Sequence, residues 1–261
     1  GKNKGQSPQK KIFRVEKQGE EAVPYSDPES IFQDTMYEHF ASLTQIEKHP
    51  SESSLFLTAG KDKYVTVWGF NPSGGEEVLN YKYHFGPPAL QQKGLLTMGD
   101  IQSAKWLQDQ VIIAALADGT LSLKDIRTPK EQVGVSLMPR RDCAIWDMDL
   151  LQTEAGANVV CADDSGFVFM VDPRQNAQVL PLLNYNGESA LKLNIEKNIM
   201  TVAFDEAVRS FRVQNGALTA LKEVSRLSDN VSSLITLLDP SSSPQCTIFG
   251  TFDGRIHSFT Y

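Results

Sequence analysis

The sequence holds 261 residues but only three cysteines, Cys143, Cys161 and Cys246, far apart and mostly among apolar neighbours. An odd, scattered trio excludes the disulfide framework of a small secreted domain and points to a reducing intracellular compartment, nucleus or cytoplasm. Histidine is nearly as scarce, with four residues. Neither Cys-x-x-Cys nor His-x-x-x-His occurs, so the tight spacing of a metal site is missing. His39 and His49 could converge only through a turn and are read as surface histidines. No run approaches the roughly 18 apolar residues that span a bilayer, and no apolar segment near the start resembles a secretory leader. Positive charge is in deficit: 25 Lys and Arg against 32 Asp and Glu give a net charge of −7. That balance argues against wholesale binding of nucleic acid or of an anionic membrane. Gly-x-Ser-x-Gly and Gly-x-x-x-x-Gly-Lys-Ser/Thr motifs are also missing. Gly74-Gly75 is followed by Glu76-Glu77, which would repel a phosphate.

What is present is a repeat. A short apolar run, a turn containing Asp and an alternating segment recur around Asp62, Asp118, Asp164, Asp205 and Asp253, spaced 56, 46, 41 and 48 residues apart. A period near 40–45 with slack for loops suits a four-stranded unit. Asp118-Gly119 and Asp253-Gly254 are tight-hairpin dipeptides, because Gly accepts positive φ and Asp caps its own turn. The run before each turn reads as a strand buried on both faces, and the segment after it as a strand with unequal faces. Upstream lie further strand candidates at 41–46, 101–106, 144–150, 190–195 and 231–237. Outer strands follow at 78–83, 133–137, 179–183 and 218–224, and the last unit lacks one.

These residues carry a family resemblance. Asp62…Val67-Trp68, Asp118-Gly119…Leu123-Lys124-Asp125 and Asp164…Val171-Asp172, with their flanking apolar runs, resemble the WD40-repeat family of β-propellers over about residues 37–261. Only Trp68 stands at the family's Trp position, and Glu38-His39 is the nearest match to its Gly-His dipeptide. The family's Asp–His–Ser/Thr–Trp tetrad is therefore expected to be incomplete in every unit. The resemblance implies an all-β, WD40-like propeller of five to seven four-stranded blades. Its ring is expected to be open, or completed by a partner or by the N-terminal strand.

Residues 1–36 form a polar N-terminal segment in which Lys11-Ile-Phe-Arg-Val15 reads as one isolated closing strand, and 37–261 form the propeller. The acidic pairs Asp163-Asp164 and Asp205-Glu206 fall on the repeated turn, and Cys161 and Cys246 on apolar strands without cationic neighbours. Neither points to catalysis, so no catalytic residue, metal or cofactor is assigned and the chain is read as a non-enzyme. In propellers of this family the turn loops and the outer-to-inner loops share one face, which commonly docks partners. That layout places Lys61, Lys63, Met138, Arg140, Arg141, Asp142 and Glu188 near one rim. Arg140-Arg141 offers bidentate hydrogen bonding to carboxylate or phosphate.

The expected function is a scaffold or adaptor subunit of an intracellular multiprotein complex, with protein subunits as partners and no membrane. The alternative is a nucleic-acid-associated subunit of a chromatin, transcription or RNA-processing complex. It would touch nucleic acid only indirectly or through the basic tail.

Overall fold

The computed structural model describes residues 39, 41–69, 79–84, 100–127, 135–137, 143–175, 178–214, 216–241 and 243–261, all within the unit His39–Tyr261. The strand expected at 11–15, together with Met138, Arg140, Arg141 and Asp142, lies outside these residues. Among the described residues every regular element is a β-strand, and no helix is long and apolar enough to cross a membrane.

The described residues form nineteen strands in five antiparallel sheets, each a meander in chain order. The first holds β1 (Leu43–Lys48), β2 (Leu55–Gly60), β3 (Tyr64–Gly69) and β4 (Leu79–His84). The second holds β5 (Ile101–Gln108), β6 (Val111–Leu116), β7 (Leu121–Asp125) and β8 (Val135–Leu137). The third holds β9 (Ile145–Thr153), β10 (Gly156–Asp163), β11 (Phe167–Val171) and β12 (Val179–Asn184). The fourth holds β13 (Ala190–Glu196), β14 (Ile199–Phe204), β15 (Ala207–Gln214) and β16 (Ala217–Ser225). The fifth has three described strands, β17 (Val231–Leu238), β18 (Pro244–Thr251) and β19 (Ile256–Thr260).

Three backbone features repeat in all five sheets. First, the first residue after the second strand donates its N–H to the carbonyl at the entrance of the first strand. The pairs are Lys61 to Ser42, Ala117 to Asp100, Asp164 to Ala144, Asp205 to Ser189 and Phe252 to Asn230, at 3.0–3.2 Å. Second, the leading strand carries a one-residue bulge near its start, at Thr44, Gln102, Trp146, Leu191 and Ser232. A bulge adds local twist and re-aims the residues that follow it. Third, the next-to-last residue of the second strand is small: Ala59, Ala115, Ala162, Ala203 and Gly250.

The small residues let the following sheet approach closely, and successive sheets bury apolar faces against one another. Leu57, Ala59, Val65 and Val67 of the first sheet pack on Ile101, Ala104 and Trp106 of the second. Ile113, Ala115 and Leu121 pack on Ile145, Met148 and Cys161 of the third. Val160, Ala162 and Val168 pack on Leu193, Ile195, Met200 and Phe204 of the fourth. Ala203 and Val208 pack on Val231, Phe249 and Phe259 of the fifth. Each Ile or Val so buried stabilises the fold by about 1.5–3 kcal/mol. This chain of interfaces explains why β14 is buried along its whole length, whereas the edge strand β16 has no fully buried residue.

The first sheet corrects one expectation, since it holds a complete Asp–His–Thr–Trp relay. The indole Nε1–H of Trp68 donates to Thr58 Oγ1 at 2.7 Å, and Thr58 Oγ1 lies 2.8 Å from His39 Nε2. His39 Nδ1 lies 3.0 Å from Asp62 Oδ2. The carboxylate can only accept, so Nδ1 carries a proton; in the neutral ring Nε2 then accepts from Thr58, and the Thr58 oxygen accepts from Trp68. A Cβ on Gly60 would sit 2.8 Å from His39 Nδ1, so the ring fits there only over glycine. The reading of both histidines as surface residues is overturned as well. His49 is buried, donates from Nε2 to the Asp109 carbonyl at 2.7 Å and accepts the Glu52 N–H at Nδ1.

Candidate functional site

The leading strands of all five sheets border one polar cavity of about 250 Å³, lined among others by Gln45, Lys105, Asp147, Asp149, Lys192 and Asn194. The bulges put equivalent residues of successive strands into two columns. Opposite the fourth residue from the end of each second strand stand Glu47, Lys105, Asp149, Asn194 and Ile235. Opposite the small residue stand Gln45, Ser103, Asp147, Lys192 and Ser233.

Four members of the first column link one sheet to the next. Lys105 Nζ lies 3.3 Å from Glu47 Oε2 and 3.4 Å from Asp149 Oδ1, so one cation joins three sheets. Asp149 Oδ2 accepts the Ile195 N–H at 2.7 Å, and Asp147 Oδ2 accepts the Leu193 N–H at 3.0 Å. Asn194 Oδ1 accepts the Thr236 N–H at 2.8 Å. These carboxylate and amide oxygens satisfy backbone donors that neighbouring strands of separate sheets would otherwise leave unpaired. Burial raises the Glu47 and Asp149 carboxyls above the ordinary carboxylate range, and Lys105 offsets only part of this. Burial by itself would lower Lys105, but Asp149, Glu47 and Asp147 outweigh it and hold the ammonium above its usual value.

Farther out, between the fourth and fifth sheets, Thr201, Ser210, Thr236, Thr247 and the Tyr261 hydroxyl form a cluster with contacts of 2.8–3.4 Å. Cys161 is wholly buried, and burial pushes its thiol far up, out of the range of a nucleophile. Cys143 and Cys246 are half-buried free thiols. Among the described residues no group of three or more His, Cys, Asp and Glu side chains could hold a metal ion.

At the turn end of the sheets, Lys61 is exposed, and Lys63 is half-buried with a left-handed φ of 70°. Glu188 is engaged within the molecule, its carboxylate gripped by Arg209 at 2.8 and 3.3 Å, with the guanidinium stacked 4.2 Å over the Tyr185 ring. Asp62, Asp118 and Asp253 share one turn position, and each accepts the N–H two residues on. Asp164 and Asp205 stand one place earlier, which corrects the expected equivalence of all five. In the third sheet the cap is the buried Asp163, which ends β10 and accepts from Ser165 and Phe167, while Asp164 points outward. In the fourth sheet a two-residue turn leaves Asp205 to accept the Ser189 N–H at 2.7 Å.

The last sheet differs from the rest. In sheets one to four, the small residue and the one two before it are sealed by the next sheet: Leu57 and Ala59, Ile113 and Ala115, Val160 and Ala162, and Thr201 and Ala203 are all 0% exposed. The fifth sheet offers Ile248 and Gly250 at these positions, both half-buried. They share a face with Ile235, Leu237 and Ile256, which are 50%, 38% and 81% exposed. Phe252, in the adjoining turn, is 72% exposed.

The sequence reading missed Glu47, Lys105, Asp147, Asp149, Lys192 and Asn194. Their signal was a pair of charged or amide residues two places apart within a leading strand, as at Gln45 and Glu47, Asp147 and Asp149, and Lys192 and Asn194. Compared with protein-family models and with curated proteins, the chain matches none.

Proposed function

We propose that the chain is a non-catalytic scaffold or adaptor, its five sheets the blades of a WD40-like β-propeller, acting as a subunit of an intracellular multiprotein complex in the nucleus or cytoplasm. The observation that carries this reading is the exposed apolar group Ile235, Leu237 and Ile256 on one face of the fifth sheet, held on a frame of sheets tied together strand by strand. A preformed face loses little conformational freedom on binding, and a contiguous apolar patch on a soluble domain marks an interaction surface. The Asp62–His39–Thr58–Trp68 relay supports the family resemblance, because it joins the four residue types of that family's tetrad.

The test is an affinity capture from cell extract at low and high salt, with the wild-type chain beside an Arg140→Glu/Arg141→Glu variant. A protein partner recovered in stoichiometric amount at both salt levels is the expected result, and its loss in the variant would assign it to the loop rim. Recovery of nucleic acid alone, released as salt rises, would overturn the scaffold reading in favour of a nucleic-acid-associated subunit.

A further inference from the structure

Three carboxylates and two ammonium groups meet at the polar cavity: Glu47, Asp147 and Asp149 against Lys105 and Lys192. Lys105 is committed, with Glu47 at 3.3 Å and Asp149 at 3.4 Å. Lys192 is not. Its side chain is only 25% exposed, yet its nearest carboxylate oxygen, Asp147 Oδ2, lies 3.9 Å away and already accepts the Leu193 N–H. Two places along β13, Asn194 gives its Oδ1 to the Thr236 N–H, which leaves the amide Nδ2 to donate elsewhere. Lys192, Asn194 and Ser233 of β17 all line the cavity. Among the described residues none of these three donors reaches a hydrogen-bond acceptor.

Strand β9 keeps acceptors beside them. Asp147 takes the Met148 N–H at Oδ1 and the Leu193 N–H at Oδ2. A carboxylate oxygen accepts two hydrogens, so each oxygen of Asp147 retains one place.

These features select the occupant by elimination. An anion would add a fourth negative charge beside three carboxylates that share two ammonium groups, in a partly buried site where repulsion is weakly screened. An ammonium only donates, so it would leave Lys192, Asn194 and Ser233 facing another donor. A neutral molecule bearing hydroxyls meets both demands, since each hydroxyl donates one hydrogen and accepts two. The volume, about 250 Å³, lies below the roughly 300–1,000 Å³ of pockets for drug-sized ligands and suits a single small ring.

We propose that the cavity binds a small neutral polyhydroxylated molecule, the size of a monosaccharide or cyclic polyol, whose hydroxyls accept from Lys192, Asn194 and Ser233 and donate to Asp147. The groups come from β9, β13 and β17, which are hydrogen-bonded to one another across the third, fourth and fifth sheets. Binding there goes beyond the scaffold reading and does not depend on it.

The test titrates the isotope-labelled full chain with D-glucose and myo-inositol as neutral probes, and with sodium acetate and propylammonium chloride as charged ones, following the amide signals by NMR. The expected result is a saturable movement of the Leu193, Asn194 and Ser233 amides in the millimolar range with a neutral probe, and weaker or no binding of the charged pair. Lys192→Met should weaken that binding about tenfold, the loss of one charged hydrogen bond. Lys222→Met, on the exposed strand β16, should leave it unchanged. Should Lys192→Met melt lower than the wild type, Ser233→Ala at an exposed position serves as the second variant, with a loss of about threefold.

Absence of movement with both neutral probes would overturn the proposal, as would acetate or propylammonium bound as tightly. So would a neutral probe held with full affinity by whichever variant keeps the wild-type melting temperature. None of these outcomes bears on the partner captured under the scaffold reading.

Discussion

The Asp62 carboxylate lies 3.0 Å from Nδ1 of His39, a residue 23 positions earlier in the chain. That contact orients the ring so that its other nitrogen takes the Thr58 hydroxyl, which in turn takes the buried Trp68 N–H. With the ring neutral, each hydrogen in the relay has one acceptor, and each donor polarises the next.

Breaking the relay at its middle should therefore cost more than one hydrogen bond. Thr58→Val keeps the shape but leaves the Trp68 N–H and His39 Nε2 without a partner, for a loss of about 2–3 kcal/mol. Thr58→Ser keeps the hydroxyl and should lose less than half of that. Urea unfolding followed by tryptophan fluorescence reads both, and equal losses would show that the hydroxyl is not the link.

Lys105 should govern how stability depends on pH. A carboxyl whose pKa is raised on folding binds its proton more tightly in the folded state, so it favours folding while protonated. That contribution fades as pH climbs through the raised value. Glu47 and Asp149 are of this kind even with Lys105 beside them. Lys105→Met removes the counter-charge, and about 3 kcal/mol should be lost at the alkaline end of the range, where the carboxylates carry charge. Toward the acid end the loss should be smaller, because the carboxyls escape the cost by taking up protons. Thermal melts of both proteins across this range decide it, and a difference independent of pH would count against the clamp.

Asp149 and Asp147 should protect particular amides. Asp149→Ala leaves the Ile195 N–H without its 2.7 Å acceptor, and Asp147→Ala does the same to Leu193. Each should cost about 1–3 kcal/mol. In hydrogen exchange followed by NMR, the Ile195 amide should quicken in the first variant and the Leu193 amide in the second. Asp149→Asn, which keeps an oxygen acceptor, should leave Ile195 better protected than Asp149→Ala does.

Two glycines of similar backbone conformation should respond differently to the same change. Gly166 has φ +79°, and a Cβ there would lie 2.2 Å from the carbonyl oxygens of Tyr185 and Glu188. Gly254 has φ +83° and open space around it. Gly254→Ala should lose only the left-handed penalty, about 1 kcal/mol. Gly166→Ala must also push apart the loop that leads into the fourth sheet, and should lose about 3 kcal/mol or more. Similar losses in chemical denaturation would show that this loop yields without resistance.

The strands of this protein were legible because each writes a local pattern. The apolar runs 111–116 and 199–204 form buried central strands, and Asp118-Gly119 and Asp253-Gly254 close the turns after β6 and β18 as the dipeptides require. Local pattern failed at Asp164, where the neighbouring Asp163 takes the cap, and at Asp205, where a two-residue turn sends the carboxylate to the Ser189 N–H instead. It failed at His39 too, since Glu38 replaces the glycine of the familiar dipeptide and the Thr58 and Asp62 partners lie on later segments. The sequence by itself determined the strands, the order of the sheets and the small residue near each turn, because neighbours along the chain decide these through alternation and φ preference. Only the tertiary structure decided that Glu47, Lys105, Asp149 and Asn194 join sheet to sheet, and that Ile235, at the matching place in the fifth sheet, is half exposed. Those relations depend on bulges that rotate five distant strands toward one cavity, and no single segment encodes its distance to the next.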